Sequence, residues 1–174
     1  KYMGKRTLYI ATESAEGGGI LSIKDIGAPY VMPKSMSEFE QLLAALATDT
    51  TYGGVVLDNA NDYVKRYLFP YALAFPSRER VATRSAGVPE RSDYQTMGEK
   101  CRQHFNQLVA LSAHPDVKVR KHVQVNTLIR EKADPQGVLL SVGPDLPGAM
   151  ADTAGSVFQV VGTIRIKPVV ESDP

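Results

Sequence analysis

Three short runs of β-forming residues, each with polar side chains at or near its carboxyl end and each separated from the next by a stretch of helical periodicity, restrict this chain to few folds. The runs are Arg6 to Thr12 (RTLYIAT), Val55 to Leu57 leading into Asp58 within Tyr52 to Asp62 (YGGVVLDNAND), and His122 to Leu128 (HVQVNTL). Val55, Val56 and Leu57 make the middle run continuously apolar, the pattern of a strand covered on both faces. Strands that alternate with helices imply an α/β layer with a largely parallel sheet.

The helical segments carry their own signals. Ser37 to Thr48 reads as a helix opened by a Ser37/Glu40 capping box, with Phe39, Leu42, Leu43 and Leu46 on one face. Asn61 to Phe75 is aromatic-rich and helical, and Pro70 is expected to break or kink it. Ser92 with Gln95 opens the longest helix, in which Tyr94, Met97, Cys101, Phe105 and Leu108 recur at spacings of three and four until Pro115. Between the last two lies a polar loop, Pro76 to Arg91, with Arg78, Arg80, Arg84 and Arg91 set against Glu79 and Glu90. A charged excursion, IREKADPQG, follows the third strand. A short extended piece, VLLSV, then leads to GPDLPGAMADTAG and an alternating close, SVFQVVGTIRIKPVV.

Charge and length narrow the function classes. With 20 basic and 19 acidic residues there is no global field to draw the protein onto nucleic acid or anionic lipid, so such binding needs a local patch. The 174 residues suit one domain, 1–174. The single cysteine, Cys101, excludes an internal disulfide and fits a reducing compartment. No apolar run approaches the roughly 20 residues of a membrane helix, so the expectation is a cytoplasmic protein with no membrane partner. The chain begins with Lys1, from which an additional N-terminal piece is expected.

Ligands of open parallel sheets collect beyond the carboxyl ends of the strands. Glu13, Asp58 and the pair Asn126 and Thr127 end the three runs. An apolar strand closing on Asp is what a nucleotide-binding fold uses to orient Mg2+ behind phosphates, because a hard cation takes carboxylate oxygen directly or through water. The alternative for Asp58 is a helix N-cap that accepts amides of the following NAND turn. Glu13 is either a second acid across a cleft, polarising an attacking water, or a solvent-facing carboxylate beside flexible glycines. Gly17 to Gly19 precede ILSIKD, and no G-x-x-x-x-G-K-[ST] occurs in the sequence, so these glycines read as a turn. His104, His114 and His122 have no metal-ligand spacing with Cys101, and no G-x-S-x-G marks a nucleophile.

In order and spacing, LYIATESAEGG, YGGVVLDNAND, RSDYQTMGEKCRQHFNQLVAL and VGPDLPGAMADTAGSVFQVVGTIRI resemble the RecA-like branch of P-loop NTPases. The resemblance is closer to bacteriophage nucleotide-binding proteins that include single-strand-annealing recombinase ATPases, whose proline, aspartate, leucine, proline and glycine run is the most specific match. It implies a RecA-like three-layer sandwich with a mostly parallel central sheet, lacking here the N-terminal P-loop strand and helix. It places Glu13 as the carboxylate that activates water, Asp58 as the Walker B aspartate at Mg2+, and Asn126 and Thr127 as sensors of the γ-phosphate. Thr127 departs from the Gln usual there. ATP and Mg2+ are the implied cofactors, with ATP between subunits of a ring or filament.

The same resemblance makes the loops at Pro76 to Arg91 and Arg130 to Pro144 contact single-stranded DNA through Arg78, Arg80, Arg84, Arg91, Arg130 and Lys132. The function expected is ATP-dependent DNA recombination or annealing in the cytoplasm of a phage-infected bacterium, with hydrolysis once a P-loop completes the site. The rival expectations are a degenerate P-loop-fold structural or assembly subunit without turnover, and a loader or helicase-like accessory on the same fold. Loss of an interior P-loop strand would also leave buried backbone groups unpaired, at a cost of about 1–3 kcal/mol each.

Overall fold

A computed structural model describes residues 6–13, 25, 27–74, 89–137, 139–147 and 150–158. Its sheet has four parallel strands: β1 (Arg6–Ala11), β2 (Tyr30–Val31), β3 (Tyr52–Asp58) and β4 (His122–Val125), in the order β2-β1-β3-β4. A two-stranded antiparallel hairpin, β5 (Ile129–Ala133) and β6 (Leu139–Pro144), stands apart from it. The helices are α1 (Met36–Leu46), α2 (Ala60–Tyr63), a π-helical turn (Val64–Leu68), α3 (Phe69–Ala74), α4 (Arg91–Ser112) and α5 (Met150–Val157). The protein is therefore α/β with a parallel main sheet.

β3 is paired along both edges, with β1 in the register Ala11↔Asp58 and with β4 in the register Leu57↔Val125. The interior gap expected from a missing P-loop strand does not occur between these strands; among the described residues β2 and β4 are the sheet's edges. Side chains alternate across a strand. Leu8 and Ile10 of β1 and Val55 and Leu57 of β3 accordingly share one face and enter the core with Phe39, Leu43 and Leu46 of α1. The connections from β2 to β3 and from β3 to β4 step across the sheet in the same direction, so right-handed crossovers carry α1 to α4 over that same face. On the other face Thr7 lies opposite Gly54, where a Cβ would sit 2.8 Å from the Thr7 Oγ1. Glycine is what lets those two strands keep their spacing.

Three local signals resolve differently from the sequence reading. The α1 cap is Ser35, whose Oγ accepts from the Glu38 amide at 3.2 Å while Glu38 accepts from the Lys34 amide at 2.7 Å; the cap lies two residues before Ser37 and is not a Ser37/Glu40 box. At α4 the capping box pairs Glu90 with Asp93, not Ser92 with Gln95. Pro70 does not break its helix. The preceding turn widens to the π form, and the Phe69 amide bonds the Val64 carbonyl, so the helical path continues past the missing proline N–H.

The core holds a polar thread. Phe39 packs against Tyr63 and Tyr67, with ring centroids 4.9 and 5.8 Å apart. The Tyr63 hydroxyl is 2.6 Å from the buried His104 Nδ1, and His104 Nε2 is 3.3 Å from Glu40, which also pairs with Lys100. A carboxylate only accepts, so Nε2 carries the ring proton and Nδ1 accepts from Tyr63. Burial lowers the His104 pKa against the opposing hydrogen bond from Glu40, which keeps the ring neutral. Cys101, on the same buried stripe of α4, is pushed up to about 12 by burial and is an inert thiol.

At the amino end of the sheet, the fully buried Lys121 ammonium donates to the Asp49 carbonyl at 2.8 Å and the Val119 carbonyl at 3.1 Å, and meets the Asp49 carboxylate at 3.3 Å. The same carboxylate accepts the amides of Thr51 at 3.1 Å and Tyr52 at 3.0 Å, which ties the entry to β3 to the entry to β4. Burial alone would raise the Asp49 pKa; the Tyr52 and Thr51 amides and Lys121 outweigh it and hold the group at about 2, down from 3.8. A carboxyl depressed in the folded state stabilises above its unfolded pKa and loses that contribution as pH falls through the folded one. Asp49→Asn should lower the urea midpoint near neutral pH and flatten its decline between about pH 4 and pH 2. Parallel midpoint-against-pH curves for the two proteins would contradict this.

Candidate functional site

Parallel pairing places every strand's carboxyl end on one side, and the register sets which residues meet there. Asp58 ends β3 opposite Ala11, Thr12 and Glu13 follow β1 directly, and Asn126 follows Val125 of β4. The chain leaving β1 goes on to β2, on one side, and the chain leaving β3 goes on to β4, on the other. The place where β1 and β3 end side by side is therefore a topological switch point, the position at which open α/β sheets form a ligand crevice. Glu13 and Asp58 flank it.

Hydrogen bonds join these strand ends into one cluster. The buried Thr12 donates its amide to the Asp58 carbonyl at 2.9 Å and its hydroxyl to the Asn59 carbonyl at 2.5 Å. The peptide between Asp58 and Asn59 is cis. Asn126 donates its side-chain amide to Asp58 Oδ1 at 3.1 Å and accepts the Ala60 amide on its carbonyl at 2.8 Å. Arg66, from the π-helical turn, donates to the carbonyl of Thr12 at 3.0 Å and to that of Glu13, which fixes the backbone that presents Glu13.

Asp58 is not the helix cap. That role belongs to Asn59, whose Oδ1 accepts the Asp62 amide at 2.9 Å. Its Nδ2 lies between two carboxylates, 3.1 Å from Asp62 and 3.4 Å from Glu13. One asparagine thus caps α2 and bonds Glu13, while the half-buried Asp58 carboxylate accepts from Asn126. Thr127 points elsewhere, donating its hydroxyl to Asn61 Oδ1 at 2.8 Å.

Glu13, Asp58 and Asn126 are therefore brought together, whereas Thr127 serves the base of the hairpin. Arg91 is the exposed first residue of α4. Arg130 and Lys132 are exposed on β5, in a hairpin rather than the loop expected, and Arg130 pairs with Asp145. Arg78, Arg80 and Arg84 lie outside the described residues. Thr12, Asn59, Asn61 and Arg66 escaped the sequence reading because each works by bonding backbone or side chains distant in sequence. Only the Asn59/Asp62 spacing carried a local signal, that of an N-cap.

Among the described residues no group of three or more His, Cys, Asp or Glu side chains is placed to hold a metal, and no helix is long and apolar enough to cross a membrane. No protein-family model and no curated protein matches the chain.

The division of labour between two adjacent residues is testable. Asn59→Ala removes a cap and should cost about 1 kcal/mol of unfolding free energy. Asp58→Asn keeps an oxygen for Asn126 and should stay within about 0.5 kcal/mol. Urea unfolding of both variants checks the pair, and no loss of stability in Asn59→Ala would take the cap away from Asn59.

Proposed function

We propose that this chain is the nucleotide-binding core of a RecA-like, ATP-dependent protein of phage DNA recombination or annealing. The observation that most supports the reading is the topological switch point where β1 and β3 end, flanked by Glu13 and Asp58, with Asn126 against Asp58 at 3.1 Å. The ordered sequence resemblance to RecA-like phage ATPases adds to it. Phosphoryl transfer to water needs positioning and charge stabilisation more than covalent chemistry, and a strand-end acid pair with a neighbouring amide offers both.

In this reading Asp58 holds Mg2+ directly or through water. The donors suit that ion, since Mg2+ is bound through one or two carboxylates with waters and substrate phosphates rather than an all-protein cage. When bound, Mg2+ supplies neutralisation of phosphate charge. Glu13, oriented by Asn59, accepts a proton from the attacking water, and Asn126 fixes the Asp58 carboxylate and senses the terminal phosphate. The phosphate-cradling loop comes from residues beyond these 174 or from another chain, since the motif is absent here. ATP then lies between neighbouring subunits of a ring or filament, and single-stranded DNA meets Arg91, Arg130, Lys132 and the arginines at 78, 80 and 84.

The same missing motif favours a second reading, a P-loop-fold structural or assembly subunit that does not turn over nucleotide. Calorimetry with Mg2+ and ATP on the protein expressed from its full reading frame separates the two. The first reading expects binding that weakens at least about tenfold in Asp58→Asn, and Glu13→Gln that binds but loses hydrolysis by about a hundredfold or more. Absence of binding in the unmutated protein decides for the structural subunit.

The DNA half has its own check. Joint replacement of Arg78, Arg80 and Arg84 by Ala should weaken binding to an oligothymidylate and flatten the dependence of log K on log salt by about 2 to 3 units of slope. An unchanged affinity and slope would remove those residues from the interface.

A further inference from the structure

The β5–β6 hairpin buries little of its first strand. All five residues of β5 are exposed, and so is Leu128 just before it. A two-stranded hairpin is marginal in water without a packed face. Something other than its own burial must hold that strand, and the hydrogen bonds at its base converge on Asn61.

Asn61 is the second residue of α2 and is 7% exposed. Its Oδ1 accepts both the Thr127 hydroxyl and the Leu128 amide, each at 2.8 Å, and its Nδ2 donates to the Asp145 carbonyl. The two hairpin ends are joined in turn by the Asp145 amide, which bonds the Leu128 carbonyl at 2.8 Å, and by the Arg130–Asp145 ion pair. A single side chain therefore grips both legs of the hairpin, across 66 to 84 residues of sequence. Asn61 stands three residues after Asp58, and Ala60 between them bonds the Asn126 carbonyl.

We infer that Asn61 is a positioning residue, a latch that seats the hairpin bearing Arg130 and Lys132 on the strand-end cluster and passes changes at Asp58 and Asn126 to it. The path is short: Asp58 to Asn126, along the chain to Thr127 and Leu128, and through Asn61 to Asp145 and Arg130. The latch stands on the geometry alone; its role in reporting nucleotide rests on the function proposed above.

Hydrogen–deuterium exchange of the full chain tests both parts. Asn61→Leu removes every latch bond, Asn61→Asp keeps the acceptor and loses the donor, and Thr127→Val removes one donor at a half-exposed position where the core is untouched. Exchange at amides of 129–133 should accelerate at least about tenfold in Asn61→Leu and by less in Asn61→Asp and Thr127→Val, with β3 unchanged. Unchanged hairpin exchange in all three variants would overturn the latch. So would equal acceleration of β3 and hairpin in Asn61→Asp and Thr127→Val, since it marks general destabilisation.

Addition of Mg2+ and ATP should then slow hairpin exchange in the unmutated protein and not in Asn61→Leu. Nucleotide binding seen by calorimetry without hairpin protection would sink the transmission and leave the nucleotide site standing. No binding at all would overturn the nucleotide reading together with the transmission, while exchange in the free protein still decides the latch.

Discussion

Everything at the carboxyl end of this sheet depends on β3 being paired in parallel on both sides. Antiparallel neighbours would scatter the strand ends to opposite edges, and a register slip of one residue would turn Asp58 to the other face. The Ala11↔Asp58 and Leu57↔Val125 registers are kept by the burial of Leu8, Ile10, Val55 and Leu57 on one face and by the close fit of Gly54 beneath Thr7 on the other. The apolar register is thus what brings Glu13, Asp58 and Asn126 to one place. Polar contacts refine that placement without creating it.

The two ends of the sheet use polar groups differently. At the amino end, Lys121 and Asp49 are saturated by carbonyls and amides of neighbouring turns, so their charges are consumed in holding the β3 and β4 entries together. A charge that deeply buried is tolerable only with such partners, and removing one would leave the other stranded. At the carboxyl end the backbone carbonyls of Thr12, Glu13 and Asn126 absorb the fixed donors, while the Asp58 carboxylate accepts from a neutral amide at 3.1 Å. No cation of the described residues is set against it as Lys121 is set against Asp49. The ion pair at the amino end is thus closed within the described residues, whereas Asp58 has a neutral partner among them.

Periodicity was the legible part of the sequence. Apolar runs located β1, β3 and β4, and the stripe through Tyr94, Met97, Cys101, Phe105 and Leu108 marked the helix that covers them; the last four are buried, whereas Tyr94 is exposed. Caps were less legible, because Ser35 and Ser37 are both capping residues followed three positions later by Glu, and the spacing alone does not distinguish them. At Pro70 the expected break or kink takes the form of a π turn just before it, since the wider turn relieves the conflict between proline and the α register. β5 was invisible as a strand, since a hairpin strand exposed at every residue has no alternation to show.

The site was legible by half, and the missing half has one physical character. Glu13, Asp58 and Asn126 could be named because they end apolar runs, a one-dimensional signal. Asn59, Asn61 and Arg66 act by satisfying groups that only the fold brings near, and nothing in their neighbours foretells it. The two asparagines that follow Asp58 nevertheless serve opposite sides of the crevice, Asn59 facing β1 and Glu13, and Asn61 facing the hairpin and Asp145. The NAND turn is therefore more than a helix start. Its side-chain amides are committed on either side of Asp58, one to the residue after β1 and one to the base of the hairpin, so the turn ties both to the end of β3.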